Sequence, residues 1–155
     1  MFAPPTIVRD VTPLIGEAHR RGPVILAWDA VRYGGIHPEL GHNVVYHEFA
    51  HKLDTLDGYA DGVPPLPNRK QYRQWVEVCT REYQRLREQA EQGSETFLDP
   101  YGGTDVGEFF AVATEYFFNR GPEMSLLHPE LYQLLAGFYH QDPAAREFRV
   151  AATME

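Results

Sequence analysis

The sequence has a single cysteine, Cys79, among its 155 residues. One thiol excludes an internal disulfide and any zinc cage built from CxxC pairs. Because Cys79 falls on the apolar stripe of a predicted helix, we expect it to be a packing residue rather than a nucleophile.

The sequence also lacks long apolar runs and an excess of basic residues. No segment approaches the roughly 20 apolar residues of a membrane span. The first ten residues, MFAPPTIVRD, have neither the basic nor the apolar region of a signal peptide. The net charge of −8 is spread along the chain, which disfavours nucleic acid and membranes as partners. We therefore expect a cytoplasmic protein.

Apolar side chains, by contrast, are plentiful enough for a sizeable core, since 43% of the residues are hydrophobic. The length predicts one domain over residues 1–155. Strand patterns come early and helix patterns come late, which is typical of an α+β fold.

The predicted strands lie before residue 32. The segment VILAWDAV, residues 24–31, is β-branched and aromatic and lies between glycines, which predicts a strand. Before it, PTIVRDV (5–11) suggests a second strand and LIGEAHRRG (14–22) a short helix or turn. Periodicity and end signals predict helices over residues 42–54, from an Asn68 cap to a Gly93 stop, over 107–119 and over 128–141.

The segment NVVYHEFAHKLDTLDG, residues 43–58, carries polar residues within the first predicted helix. His47 and His51 are four residues apart, so their imidazoles lie on one side of the helix and can converge on one ion. A hydrolytic zinc site uses three protein ligands and leaves the fourth position to water. Glu48 lies beside the first ligand and can act on that water as a base, as in other HExxH sites.

The alternative is that both histidines are ordinary core or surface residues. Their neighbours are mostly apolar, and burying two imidazoles and a carboxylate without partners would cost several kcal/mol. A metal would supply the missing partner. The pattern therefore predicts one Zn²⁺ per chain.

Two glutamates are candidates for the third ligand. Glu108 and Glu115 lie in the apolar helix predicted over 107–119, and glutamate is seldom fully buried unless it is paired or bound to a metal. Seven residues are nearly two helical turns, so both carboxylates lie on the same face, about 10 Å apart along the axis. Helix geometry alone does not choose between them.

The same residues support a family resemblance. NVVYHEFAHKLDTLDG, with DPYGG (99–103) and GEFFAVATEYFF (107–118) downstream, resembles the Mlc titration factor A family of bacterial zinc metallopeptidases. That family is a branch of the gluzincins, which combine HExxH with a downstream glutamate. The resemblance implies that Glu108 is the third ligand and that Tyr101 donates a hydrogen bond to the oxyanion. Many gluzincins have an acidic residue four positions after the ligand glutamate, where this sequence has Val112.

The resemblance implies a small zincin-like domain, in which a short N-terminal β-sheet packs on the active-site helix and the glutamate helix. It also implies a peptidase, with an aminopeptidase as one form, in which Glu48 is the general base. Asp54, Asp57 or Glu115 would orient a ligand from the second shell. Tyr46 and Tyr116 are rivals of Tyr101, although a tyrosine on an apolar helix usually belongs to the core.

Further expectations concern substrate binding and two rival functions. Gly102 and Gly103 would let the Tyr101 loop move, and the strand at 24–31 could pair with an extended peptide. One rival is a zinc protein that sequesters a transcriptional repressor, because some relatives in the family do so. The other is a di-iron protein, suggested by ELGH at 39–42 and EFAH at 48–51, but its two pairs should lie on separate helices. Asp57 and Asp61 lack the alternating carboxylates of a calcium loop.

Overall fold

The computed structural model describes residues 16–18 and 22–146. The described part is mostly helical, and its strands are β1 (Gly16–Ala18) and β2 (Val24–Leu26). The helices are α1 (Trp28–Ile36), α2 (Val44–Asp54), α3 (Arg69–Glu91), α4 (Val106–Asn119), α5 (Gly121–Leu127) and α6 (Pro129–Tyr139), with short 3₁₀ turns at Pro38–Leu40 and Pro100–Gly103.

The strands form an antiparallel pair with Gly16 opposite Leu26 and Ala18 opposite Val24. Both strands contact α2, as predicted for the active-site helix. The helix or turn predicted over 14–22 is wrong at residues 16–18, which are β1. The strand predicted over 5–11 lies outside the described residues.

The strand predicted over 24–31 is correct only to Leu26, because α1 begins at Trp28 and continues through Gly34 and Gly35. Gly34, expected to lie just beyond the end of this strand, instead lies inside α1 where two segments pack closely. A Cβ at Gly34 would lie 3.1 Å from the carbonyl oxygen of His42 and 3.2 Å from the Cα of Asn43. The glycine therefore allows α1 to pack against the start of α2.

The core forms where α4 packs against the other helices. Residues 109–117 of α4 are buried without interruption. The large side chains that meet there from α3 to α6 are Trp75, Leu86, Phe109, Phe110, Phe117, Met124, Leu131 and Leu135. Removing such a side chain from water contributes about 1.5–3 kcal/mol. This core holds α4, and with it Glu108, against α2.

The helices predicted over 42–54, 107–119 and 128–141 differ from α2, α4 and α6 by no more than two residues at either end. Helix α3 begins after an Asn68 cap, as predicted. Burial raises the pKa of the Cys79 thiol on α3 to about 12, with Glu82 adding to the effect. The thiol stays protonated at neutral pH, which agrees with a packing role. None of the described helices has the length and apolar composition needed to cross a bilayer.

Candidate metal centre and active site

Two capped helices carry the residues of the site. Asn43 caps α2, and its side-chain oxygen accepts hydrogen bonds from the backbone N–H groups of Val45 and Tyr46. Asp105 caps α4 and accepts from the N–H of Glu108 at 2.9 Å. Each cap satisfies amides that the helix leaves unpaired. His47 and Glu108 therefore lie in well-formed first turns of their helices.

The packing of α2 on α4 brings three side chains together. Nε2 of His47 lies 3.1 Å from Nε2 of His51. Oε2 of Glu108 lies 3.0 Å from the first of these nitrogens and 3.3 Å from the second. Within the described residues, the side chains of His47, His51 and Glu108 form the group whose ligand atoms lie close enough to hold one metal ion.

Glu115 lies on the other side of His47. Its Oε1 is 2.7 Å from Nδ1 of His47, and its Oε2 accepts a hydrogen bond from the backbone N–H of Asn43. A carboxylate on Nδ1 keeps the proton there and leaves the Nε2 lone pair pointing toward the site. Val112, at the usual position of such an acidic residue, is buried.

Asp54 and Asp57, the other two carboxylates expected to orient a ligand, do not bond a histidine in this way. The buried oxygens of Asp54 accept no hydrogen bond from a histidine of the described residues. Asp57 is exposed and accepts from the backbone N–H of Tyr59. Glu115 is therefore the carboxylate that supports the site.

His47 and Glu108 shift each other's pKa values. Burial lowers the pKa of His47, but Glu108 and Glu115 outweigh burial and raise that pKa to about 10. Burial raises the pKa of Glu108, but the two imidazoles hold it well below its usual range. Glu108 is therefore ionised at neutral pH. A metal must compete with a proton for Nε2 of His47, so metal binding should weaken as the pH falls.

Glu48 is almost fully buried and lines a cavity of about 720 Å³ together with His47 and Tyr101. Strand β1 passes directly over its side chain. A Cβ at Gly16 would lie 2.6 Å from Oε1 and 2.7 Å from Cγ of Glu48, which is inside van der Waals contact. Gly16 therefore gives Glu48 the room for its observed position.

Tyr101 is the one of the three predicted candidate tyrosines that lines this cavity, and it is 52% exposed. Tyr33 of α1, which the sequence did not suggest, also lies in the cavity wall. Burial and the charge of Glu108 raise the pKa of the Tyr101 hydroxyl, which therefore keeps its proton. Of the rivals, Tyr116 is buried against Phe97, and Tyr46 stacks on Phe118. Both rings pack against other aromatic side chains rather than lining the cavity.

Gly102, one of the two glycines beside Tyr101, lies in a tightly packed turn. A Cβ at Gly102 would lie 3.2 Å from Val112 and 3.3 Å from Leu86. Asp99 also holds this turn, accepting the N–H of Tyr101 at 2.7 Å. Gly102 therefore allows the turn to pack tightly on α3 and α4, and movement of the Tyr101 loop stays a prediction.

Comparison with known proteins identifies the family. Residues 4–140 match the glucose-regulated metallo-peptidase M90 family. The chain belongs to this family. An uncharacterized protein of Synechocystis sp. is 45% identical over 124 residues, which cover 80% of this chain and 45% of that protein. Mlc titration factor A of Edwardsiella ictaluri is 36% identical over 137 residues, covering 86% of this chain and 51% of that protein.

A third relative gives the same result, since Mlc titration factor A of Serratia proteamaculans is 35% identical over 140 residues, or 88% of this chain and 52% of that protein. The resemblance inferred from the sequence is thereby confirmed. The chain spans about half the length of these curated relatives.

The M90 family name implies a metal, and the residues of this chain fit one. Ligands at 2.0–2.1 Å from a tetrahedral zinc would lie about 3.3 Å from one another. The three observed separations are 3.0 to 3.3 Å. Oε2 of Glu108 is buried and has no hydrogen-bond partner among the described residues, although two imidazole nitrogens are near. The spacing of the three atoms therefore fits the ligands of a single metal ion.

The structure argues against the di-iron alternative and shows contacts that were not predicted from the sequence. The segments expected for a di-iron site do not assemble, since Glu39 is exposed and pairs with His37. His128, for which the sequence suggested no role, is buried with Nδ1 2.7 Å from Glu82 and links the start of α6 to α3. The role of Gly16 had no sequence signal, because it depends on a contact with a distant segment. The Asn43 cap is local, and asparagine directly before an apolar helix is the signal that could have identified it.

Proposed function

We propose that this protein is a zinc-dependent peptidase with His47, His51 and Glu108 as the metal ligands. The observation that carries the proposal is the convergence of three ligand atoms at 3.0 to 3.3 Å beside the buried carboxylate of Glu48. Membership in a metallo-peptidase family supports it. A gluzincin mechanism in a zincin-like fold is part of this proposal, since HExxH and the downstream glutamate lie on the paired helices α2 and α4.

Bound zinc would lower the pKa of a water molecule toward neutrality and polarise the scissile carbonyl. Glu48 accepts the proton of the attacking water and delivers it to the leaving amine. The protonated hydroxyl of Tyr101 donates a hydrogen bond to the developing oxyanion. Glu115 holds the His47 ring in the tautomer that offers Nε2 to the site.

Metal removal tests the proposal directly. The purified protein is expected to contain one zinc per chain, and dialysis against a chelator should lower cleavage of internally quenched peptides by more than about 10²-fold. Stoichiometric zinc should restore cleavage, and magnesium should not, because imidazole ligands favour zinc. A panel of amino-acyl and internally quenched peptides separates an aminopeptidase from an endopeptidase. Equal cleavage with and without metal would rule the proposal out.

Gly16→Ala is expected to lower kcat by about 10²-fold while zinc content stays at one per chain. The new methyl group would overlap Glu48, and a displacement of about 1 Å can cost a catalytic group this much. Steady-state kinetics and metal analysis measure the two effects. Gly35→Ala is the matched control, because a Cβ at Gly35 in α1 meets nothing within 4 Å. Full activity in Gly16→Ala would show that β1 does not position Glu48.

A regulatory protein is the second candidate function. The name shared by several relatives, Mlc titration factor A, describes proteins that titrate Mlc. We propose a transcriptional regulator as an alternative partner to a peptide substrate, with zinc then supporting the fold of the binding surface. The predicted single domain and cytoplasmic location remain predictions for the whole protein.

A further inference from the structure

The cavity beside Glu48 extends away from the metal ligands toward α1. Its volume of about 720 Å³ lies within the range of about 300–1,000 Å³ that is typical of ligand pockets. One wall is the face of α1 formed by Ala30, Tyr33 and Gly34, which share that face because helical residues three and four apart are neighbours. This wall was not expected from the sequence, which predicted a strand over 24–31.

The carboxylates in the cavity wall already have partners. Glu115 is bonded to the His47 ring and to the backbone N–H of Asn43. Asp99 accepts the N–H of Tyr101 with one oxygen, and its other oxygen lies 3.2 Å from Nε2 of His42. Glu48 is the base of the proposed reaction, so the described wall offers a cationic side chain no acidic group of its own.

An acidic side chain would find no partner either. The described wall contains no lysine or arginine, and its two imidazoles, His42 and His47, are already paired with Asp99 and Glu115. A substrate carboxylate would therefore lie near three acidic groups without a cation of its own to pair with. The rest of the wall is uncharged, and includes Val44 and Val112. An apolar side chain placed there is stabilised because its surface is removed from water.

We propose that this cavity binds an apolar side chain of the peptide substrate, next to the bond that is cut, and that Ala30 sets the size of the side chain it accepts. The inference rests on the proposed peptidase function. It adds a substrate class, peptides with a large apolar residue on one side of the scissile bond, and it names a specificity-determining residue that lies outside the catalytic group.

The test uses zinc-loaded protein and internally quenched peptides that differ at one position on either side of the cleaved bond. At one of these positions, kcat/KM should be at least about 10-fold higher for Leu or Phe than for Ala, Asp or Lys. Ala30→Leu fills part of the cavity and should lower the ratio of kcat/KM for Phe to that for Ala by at least about 10-fold. Ala60→Leu, at an exposed position in the loop after α2, is the matched control and should leave that ratio unchanged.

The outcomes separate this inference from the function on which it rests. Cleavage without an apolar preference, a preference for Asp or Lys, or an equal effect of Ala30→Leu and Ala60→Leu would overturn the inference and leave the peptidase intact. Failure of the zinc-loaded protein to cleave any of the peptides would overturn both.

Discussion

Glu48→Gln is expected to lower peptide hydrolysis by about 10³-fold and to leave one zinc per chain. Glutamine has nearly the same shape, so it fits beneath Gly16 as Glu48 does. Its amide cannot accept the proton of the attacking water, and general base catalysis is worth about 10²–10⁴-fold. Glu48 lies outside the group of three ligand atoms, so the metal should remain bound.

Single-turnover and steady-state cleavage of one good peptide, with zinc measured in the same samples, checks this result. Glu95→Gln removes an exposed acidic charge without touching the cavity, and it should retain full activity. A Glu48→Gln variant as active as the parent would contradict the role of Glu48 in the mechanism.

The same variant separates catalysis from regulation. A protein that only sequesters a regulator should bind it and act on it equally well with or without the Glu48→Gln exchange, since the exchange preserves shape and metal. If the biological effect is lost while binding to the regulator persists, the effect depends on catalysis. If the effect persists in a variant that cleaves no peptide, partner binding is the function.

Local geometry explains what could be predicted of the site. The four-residue spacing of His47 and His51 places both rings on one face of any α-helix, and α2 does form there because Asn43 caps it and no glycine or proline interrupts it. Helices α3, α4 and α6 were also predictable, since each is long enough to show a periodic pattern or has strong end signals.

The unpredicted parts depend on contacts between distant segments. Residues 28–31 have strand-like composition, but the helix α1 that begins at Trp28 lies against the start of α2, where Gly34 permits the close approach. Only three residues of the predicted strand pair with β1. The contact of Gly16 with Glu48 joins segments far apart in the chain, and periodicity carries no information about it.

The choice between Glu108 and Glu115 shows the same limit at the site itself. Both residues lie on one face of α4, and the sequence distinguished them only through the family resemblance. The position of α4 along the axis of α2 decides which glutamate meets which nitrogen. Glu108 lies beside Nε2 of His47 and Nε2 of His51, and Glu115 lies beside Nδ1 of His47. Glu115 thereby supports the ring that Glu108 faces.

Glu108→Ala should therefore reduce zinc affinity much more than Glu115→Ala. Loss of a direct ligand leaves two imidazoles, too few for a hydrolytic zinc site, and we expect zinc content to fall below about 0.2 per chain with peptide cleavage lost. Loss of a supporting carboxylate typically weakens metal binding by only about 10–100-fold. Competition titrations with a chromogenic chelator measure both affinities on one scale.

Glu115→Gln is the control that separates a loss of zinc binding from a loss of folding in Glu115→Ala. Glu115 is buried and also bonds the backbone N–H of Asn43, so its truncation to alanine leaves a buried amide unpaired, which costs about 1–3 kcal/mol. Glutamine has nearly the same shape and keeps one acceptor oxygen, so it can preserve one of the two hydrogen bonds that Glu115 accepts from His47 and Asn43. Glu115→Gln should therefore retain more zinc and melt closer to the parent protein than Glu115→Ala. If Glu115→Gln loses zinc while Glu108→Ala retains it, the ligand is Glu115 and the proposed metal centre is wrong.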